Sequence, residues 1–292
     1  MKFGVREICD VVFKTKAATK IGNTEFAKGQ PVLYIDSAKT STIEGAATTV
    51  YAQGGRGNSR LIAWEGEKTL TFTVEDALLS PIGFSILSGA GLIKGTDEEK
   101  VFVHTTANAY VDANGKIDLT DVLGENEAIS TNAPVFVMET EEDGSLVGKP
   151  LDGFTASGKT LTNSTTKSKN VFVDFYVEKA SSNVSELQID AENFAGSYYV
   201  EASTLFRRES DGVDMPAEIT LPNVKIQSNF TFSMASSGDP STFTFTMDAF
   251  PGYTIFDPSK KVLCVIQVVE DAKAGNSATE SVMDLEETTE QN

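Results

Sequence analysis

The chain has 292 residues, with 42 Asp+Glu, 24 Lys+Arg, one His, two Cys and one Trp. That is length for one large domain or two modest ones, and 40% apolar content supplies a core and excludes wholesale disorder. A net charge of −18 repels phosphates, and one His with two distant Cys excludes most zinc sites and His-based triads, so composition points away from nucleic-acid binders and from enzymes.

Reading from the N-terminus, Arg6, Glu7 and Asp10 interrupt any apolar stretch, so no secretory signal is expected. No run of about 18 apolar residues occurs that would span a membrane, and synthesis in a reducing cytoplasm is expected. Cys9 and Cys264 sit in apolar contexts and read as buried free thiols; spacing gives no support for a bridge between them. Val5, Ile8, Val11, Val12 and Phe13 make either an arm that packs on a neighbour or a first core strand. A strand is expected at 31–36. A long mobile loop is expected over 37–60, from Gly45, Gly54, Gly55 and Gly57. Within it, Gln53-Gly54-Gly55-Arg56-Gly57-Asn58 lacks the Gly-Lys-Ser/Thr ending of a phosphate loop.

Leu70, Phe72 and Val74 alternate with Thr69, Thr71 and Thr73, which predicts a strand with one apolar and one hydroxyl face. Glu75 to Gly89 predicts a helix: carboxylates lead it, Leu78, Leu79, Ile82, Ile86 and Leu87 form a stripe, and Gly89 or Gly91 ends it. Further strands are expected at 101–111, 134–139, 171–178, 185–190, 198–206, 217–221 and 261–269. Phe230, Phe232 and Met234 alternate with Thr231 and Ser233, and Phe243, Phe245 and Met247 with Thr242, Thr244 and Thr246. The Gly238 and Pro240 turn between them predicts an antiparallel hairpin over 228–249. The apolar run Val262–Val269 predicts a central strand covered on both faces.

The acidity is concentrated. Residues 97–152 hold 13 acidic and 3 basic side chains, and residues 270–292 hold 7 acidic and 1 basic, so these two segments carry most of the excess charge. Ionised carboxylates are costly to bury. The first run therefore reads as part of a solvated, β-rich insertion over 97–170 and the second as a flexible tail; solubility, contact with a basic partner and repulsion of DNA all account for them. Asp112 to Asp121 has acidic spacing near that of a calcium loop, but Tyr110 falls where the first ligand belongs, and an Asn114-Gly115 turn explains the segment as well. His104 reads as structural, and Arg207 and Arg208 as surface pairing with Glu201 or Glu209. No catalytic residue, cofactor or metal set is assigned.

Two stretches resemble the tail tube proteins of large tailed bacteriophages. They are Gly54 to Ser80, continued by Gly83 to Gly89, and Met215 to Pro251. The resemblance covers roughly 50–92 and 171–269. It implies a β-sandwich or barrel core from 1–96 and 171–269, with one flanking helix, the 97–170 insertion and the 270–292 tail. It further implies hexameric rings stacked into a tube around a tape-measure protein, contacts with baseplate and neck proteins, and in a contractile tail a sheath. DNA would pass down the bore without specific binding, towards the host, in a virion tail assembled in the host cytoplasm. On this plan Gly54, Gly55, Arg56, Gly57, Asn58 and Trp64 belong to a segment that reaches an adjacent ring or forms an ordinary surface loop. Thr242, Thr244 and Thr246 line a polar lumen or an inter-subunit sheet. Another virion β protein, such as a capsid decoration or a baseplate or neck component, is the alternative; a carbohydrate-binding module fits less well, and an enzyme least.

Overall fold

The computed structural model describes residues 2–141, 145–181, 183–231, 234, 236–237 and 241–270. Strands hold 55% of the residues and helix 3%, so the chain is mainly β, with antiparallel sheets and a single helix among the described residues. It forms two compact units, one from Met1–Ala90 with Ile189–Asn292, the other from Gly91–Gln188. The second unit is wider than the 97–170 segment because the Lys169–Lys179 strand pairs along its whole length with Val101–Val111.

The first unit is built on one sheet. Its strand order is Pro31–Ile35, Asp10–Thr15, Ser197–Arg208, Asp214–Ile226, Phe243–Ala249, Ser59–Asp76 and Ala38–Gly54, with every neighbouring pair antiparallel. Phe3–Val5 pairs with the far end of Ser197–Arg208, and Val265–Val268 with Asp214–Ile226. Period-two alternation puts Val11 and Phe13 beside Ala202 and Val200, and Phe72 and Val74 beside Met247 and Phe245, all buried in one core. Burying each Phe fully is worth roughly 1.5–3 kcal/mol, so this cluster anchors the sheet. Asp10–Thr15 is thus a core strand, while Val5 ahead of it is exposed.

The helix spans Pro81–Ser88, later than the carboxylates suggested. Glu75 and Asp76 finish the preceding strand, because Val74 and Asp76 continue its buried alternation. Ser80 is the N-cap, its Oγ accepting from Gly83 N at 3.0 Å, with Pro81 in the first turn. Gly89 closes the helix at φ 75°, and Ile86 and Leu87 face the core.

Three other expectations are corrected. Residues 38–54 form a strand, not a loop, paired with Ser59–Asp76. Phe243–Ala249 pairs with Ile226, Lys225 and Val224 and with residues 71–76, so the hairpin's first strand is Asp214–Ile226. Residues 227–231 are not strand, because Phe230 turns to the helix residue Phe84, 4.9 Å away; Phe232, Ser233, Gly238 and Pro240 of that prediction lie outside the described residues. Among the described residues Val265–Val268 has one strand partner, and it leaves Ile266 exposed, so it is not a doubly covered central strand. Of the acidic 270–292 segment only Glu270 lies among the described residues.

The second unit has its own core, including Val111, Ile117, Leu161, Val173 and Phe175, from a sheet ordered Leu146–Pro150, Phe136–Thr140, Lys169–Lys179 and Val101–Val111 and smaller ribbons. Several of its carboxylates are tied by hydrogen bonds or ion pairs. Glu178 accepts from Lys100, Ser130 and Asn132, and Glu127 pairs with Lys179.

Candidate assembly surface

Ala38–Gly54 and Ser59–Asp76 are 17 and 18 residues long, far more than the core requires. Their near ends join the sheet, with Ala38 opposite Asp76 and Thr42 opposite Thr73. Beyond Gly45 and Leu70 they continue as a two-stranded arm roughly 30 Å long at about 3.4 Å per residue. The arm has an apolar face. Val50 lies opposite Trp64, Ala52 opposite Ile62, and a Cβ on Gly54 would meet Leu61 at 3.7 Å on that same face. Val50, Leu61, Ile62 and Trp64 are 63%, 65%, 55% and 53% exposed, so these side chains meet water rather than protein. The other face carries Thr49, Gln53 and Glu65, with the Arg60 guanidinium 4.1 Å over the Tyr51 ring.

Two register shifts bend and twist the arm, one across Gly66-Glu67 and one at Leu61. At the first, Thr48 Oγ1 accepts from Glu67 N at 2.9 Å, and a Cβ on Gly66 would fall 2.5 Å from that oxygen. At the tip, Gly54 pairs with Ser59 around a loop of Gly55, Arg56, Gly57 and Asn58. Gly55 and Gly57 have φ of 80° and 87°, and Asn58 takes φ 49°, a value Asn tolerates. Of the glycines that suggested a mobile loop, Gly55 and Gly57 are therefore the reversal of a hairpin, and Gly45 and Gly54 belong to its strand.

Thr244 and Thr246 stand on the sheet face opposite Phe245 and Met247. They face Glu75 and Thr73, which in turn face Thr40 and Thr42. Thr71 donates to Asp248 at 3.3 Å, and Thr40 to Glu75 at 3.0 Å. The result is a hydroxyl and carboxylate surface across three strands; Thr242 lies just before its last strand. This surface and the tip lie roughly 40 Å apart along the strands, so the nine residues singled out in sequence form two regions, with Trp64 belonging to the arm. Val50, Leu61 and Ile62 were not singled out; the apolar Leu61-Ile62-Ala63-Trp64 run beside a glycine turn was the available signal.

Elsewhere, Asp112 accepts from the N–H groups of Asn114 and Lys116, which caps a turn at Gly115. Asp118, bound by Thr120 and Lys116, is held down to about 2. His104 Nε2 lies 3.1 Å from Asp174. Arg207 pairs bidentately with Asp214, and Arg208 with Asp211, rather than with Glu201 or Glu209. Both cysteines are free, and burial pushes the Cys264 thiol up to about 11. Among the described residues no helix is long and apolar enough to cross a membrane, and no group of three acidic, His or Cys side chains is arranged to hold a metal.

The model of the YomU/Tube protein family matches residues 7–257. No curated protein matches the sequence.

Proposed function

The chain belongs to the YomU/Tube protein family, a phage tube-type family of structural rather than enzymatic proteins, and from that premise we propose that it is the self-assembling subunit of a tail tube. The family makes it a virion tail component. The finer reading is that protomers close into rings, six by the resemblance, and that rings stack into the conduit for the genome. The observation that carries it is the arm. A lone two-stranded ribbon is marginal in water, and this one leaves four large apolar side chains uncovered on one face. Covering them is worth roughly 1 kcal/mol or more per side chain, enough to favour a neighbouring subunit as the cover.

On this reading the tip, Gly54 to Asn58, and Trp64 contact an adjacent ring. The face with Thr244, Thr246, Glu75 and Asp248 turns to the bore, where carboxylates keep DNA from adhering. Among the described residues, the outer edge of Ala38–Gly54 and the edge at Pro31–Ile35 have no strand partner, and strand addition between protomers would close them. Tape-measure, baseplate and neck proteins, and a sheath in a contractile tail, are the partners this role requires. The test is the fourfold variant Val50→Thr, Leu61→Thr, Ile62→Thr and Trp64→Thr. We expect an unchanged circular dichroism spectrum with loss of polymers by sedimentation; undiminished polymerisation would remove the arm from the interface.

A further inference from the structure

In a chain of net charge −18, four lysines converge on one cleft of about 500 Å³ in the first unit: Lys14, Lys16, Lys28 and Lys261. Among the described residues only Lys14 of the four has a carboxylate partner, Glu201. Lys16 bonds the neutral amide of Asn223, and Lys261 Nζ lies 5.5 Å from the centre of the Tyr253 ring. Lys28 is near enough to Lys16 to help burial depress the pKa of that amine. No Asp or Glu is among the described residues lining the cleft. Like charges gathered without a counter-charge repel, and an anion drawn into the cleft relieves that repulsion.

The cleft is also apolar. Tyr199, Tyr253, Pro222 and Pro251 contribute to its walls, and the adjoining loop leaves Ile255 62% and Phe256 87% exposed. Lysines alone would suit any anion. Lysines beside exposed aromatic and aliphatic surface suit a peptide whose carboxylates alternate with apolar side chains. Such a peptide stands in this chain. Glu280-Ser281-Val282-Met283-Asp284-Leu285-Glu286-Glu287-Thr288-Thr289-Glu290 has five carboxylates, three large apolar side chains and no basic residue.

We propose that this segment docks in the lysine cleft of its own chain. The reach allows it. Val269 N donates to Pro216 O at 2.9 Å, and Pro222 of the cleft lies six residues further along the same strand, roughly 20 Å away. Residues 271–281 span up to roughly 36 Å when extended, so the segment arrives with slack. Docking neutralises the uncompensated lysines and covers the exposed loop, which neither the core nor the arm does.

Zero-length carbodiimide cross-linking of the full chain tests this, with ordinary and ¹⁵N-labelled protein mixed. The expected result is amide links from Asp284, Glu286 or Glu287 to Lys16, Lys28 or Lys261, within chains of one label. They should be lost at high salt and competed by a free peptide of residues 280–290. The Lys169–Glu139 pair, 2.7 Å apart, reports that the reagent works. The triple variant Lys16→Gln, Lys28→Gln and Lys261→Gln should make cleavage after Glu286 and Glu287 by a Glu-specific protease several-fold faster. Absence of the cleft links while Lys169–Glu139 reacts, tail links spread evenly over all lysines, links only between differently labelled chains, or unchanged cleavage in the triple variant would each overturn it.

Discussion

Glu178 illustrates how single residues hold the acidic second unit together. Lys100, Ser130 and Asn132 all donate to its carboxylate, and they hold its pKa below the ordinary glutamate value of 4.5. A depressed folded-state pKa contributes stability that is fully present above 4.5 and is lost as pH falls through the folded value. Glu178→Gln is therefore expected to lower the urea midpoint at neutral pH and to match the native chain in strong acid. Parallel denaturation curves at the two pH values check this. Gly89 and Gly115 act through backbone space. Gly89 has φ 75°, and a Cβ there would lie 2.7 Å from Ala195 N; at Gly115, with φ 82°, it would overlap the Asn163 carbonyl oxygen. Gly89→Ala and Gly115→Ala should each cost more than about 1 kcal/mol, read as a fall in the unfolding midpoint.

At the scale of elements, the arm and its bulges carry the sharpest expectation. Gly66→Val would drive side-chain atoms into Thr48, so the register shift it permits should fail while the sheet core, from Phe72 onward, persists. Hydrogen exchange should then rise in residues 46–65 and stay slow in 70–76. Much of the sheet was legible in sequence because alternation is local: Phe72, Val74, Phe245 and Met247 declare a buried face and Thr71, Thr73, Thr244 and Thr246 its reverse. The arm strand 38–54 was not. Exposed on both faces over much of its length, it has no apolar alternation to read, and its glycines look like loop chemistry until the partner strand is known. The helix start was misread for a related reason. Glu75 and Asp76 are attractive as a first turn, but the strand's buried alternation continues through Val74 to Asp76 and outweighs the local preference. The edge position of Val265–Val268 is a matter of long-range pairing that no local pattern encodes.

Across the whole molecule, two units share one chain but answer to different demands. The first places a hydroxyl and carboxylate surface, two open sheet edges and a long amphipathic arm on one sheet, and the proposed tube uses all three. The second carries much of the acidity around a separate core, and the proposed tube assigns it no ring contact. Reversing Glu139 and Glu141 to Lys should therefore leave polymerisation intact. Among the described residues the one ion pair lost is the exposed Lys169–Glu139, worth at most about 1 kcal/mol. Sedimentation of the double variant checks this, and loss of polymers would place the second unit at an interface. Electron microscopy of the purified chain at rising concentration, beside the fourfold arm variant, tests whether the chain builds a tube through its arm. Stacked rings or hollow tubes are expected from the native chain and none from the variant. Equal tubes from both, or only discrete closed particles from the native chain at every concentration, would contradict it.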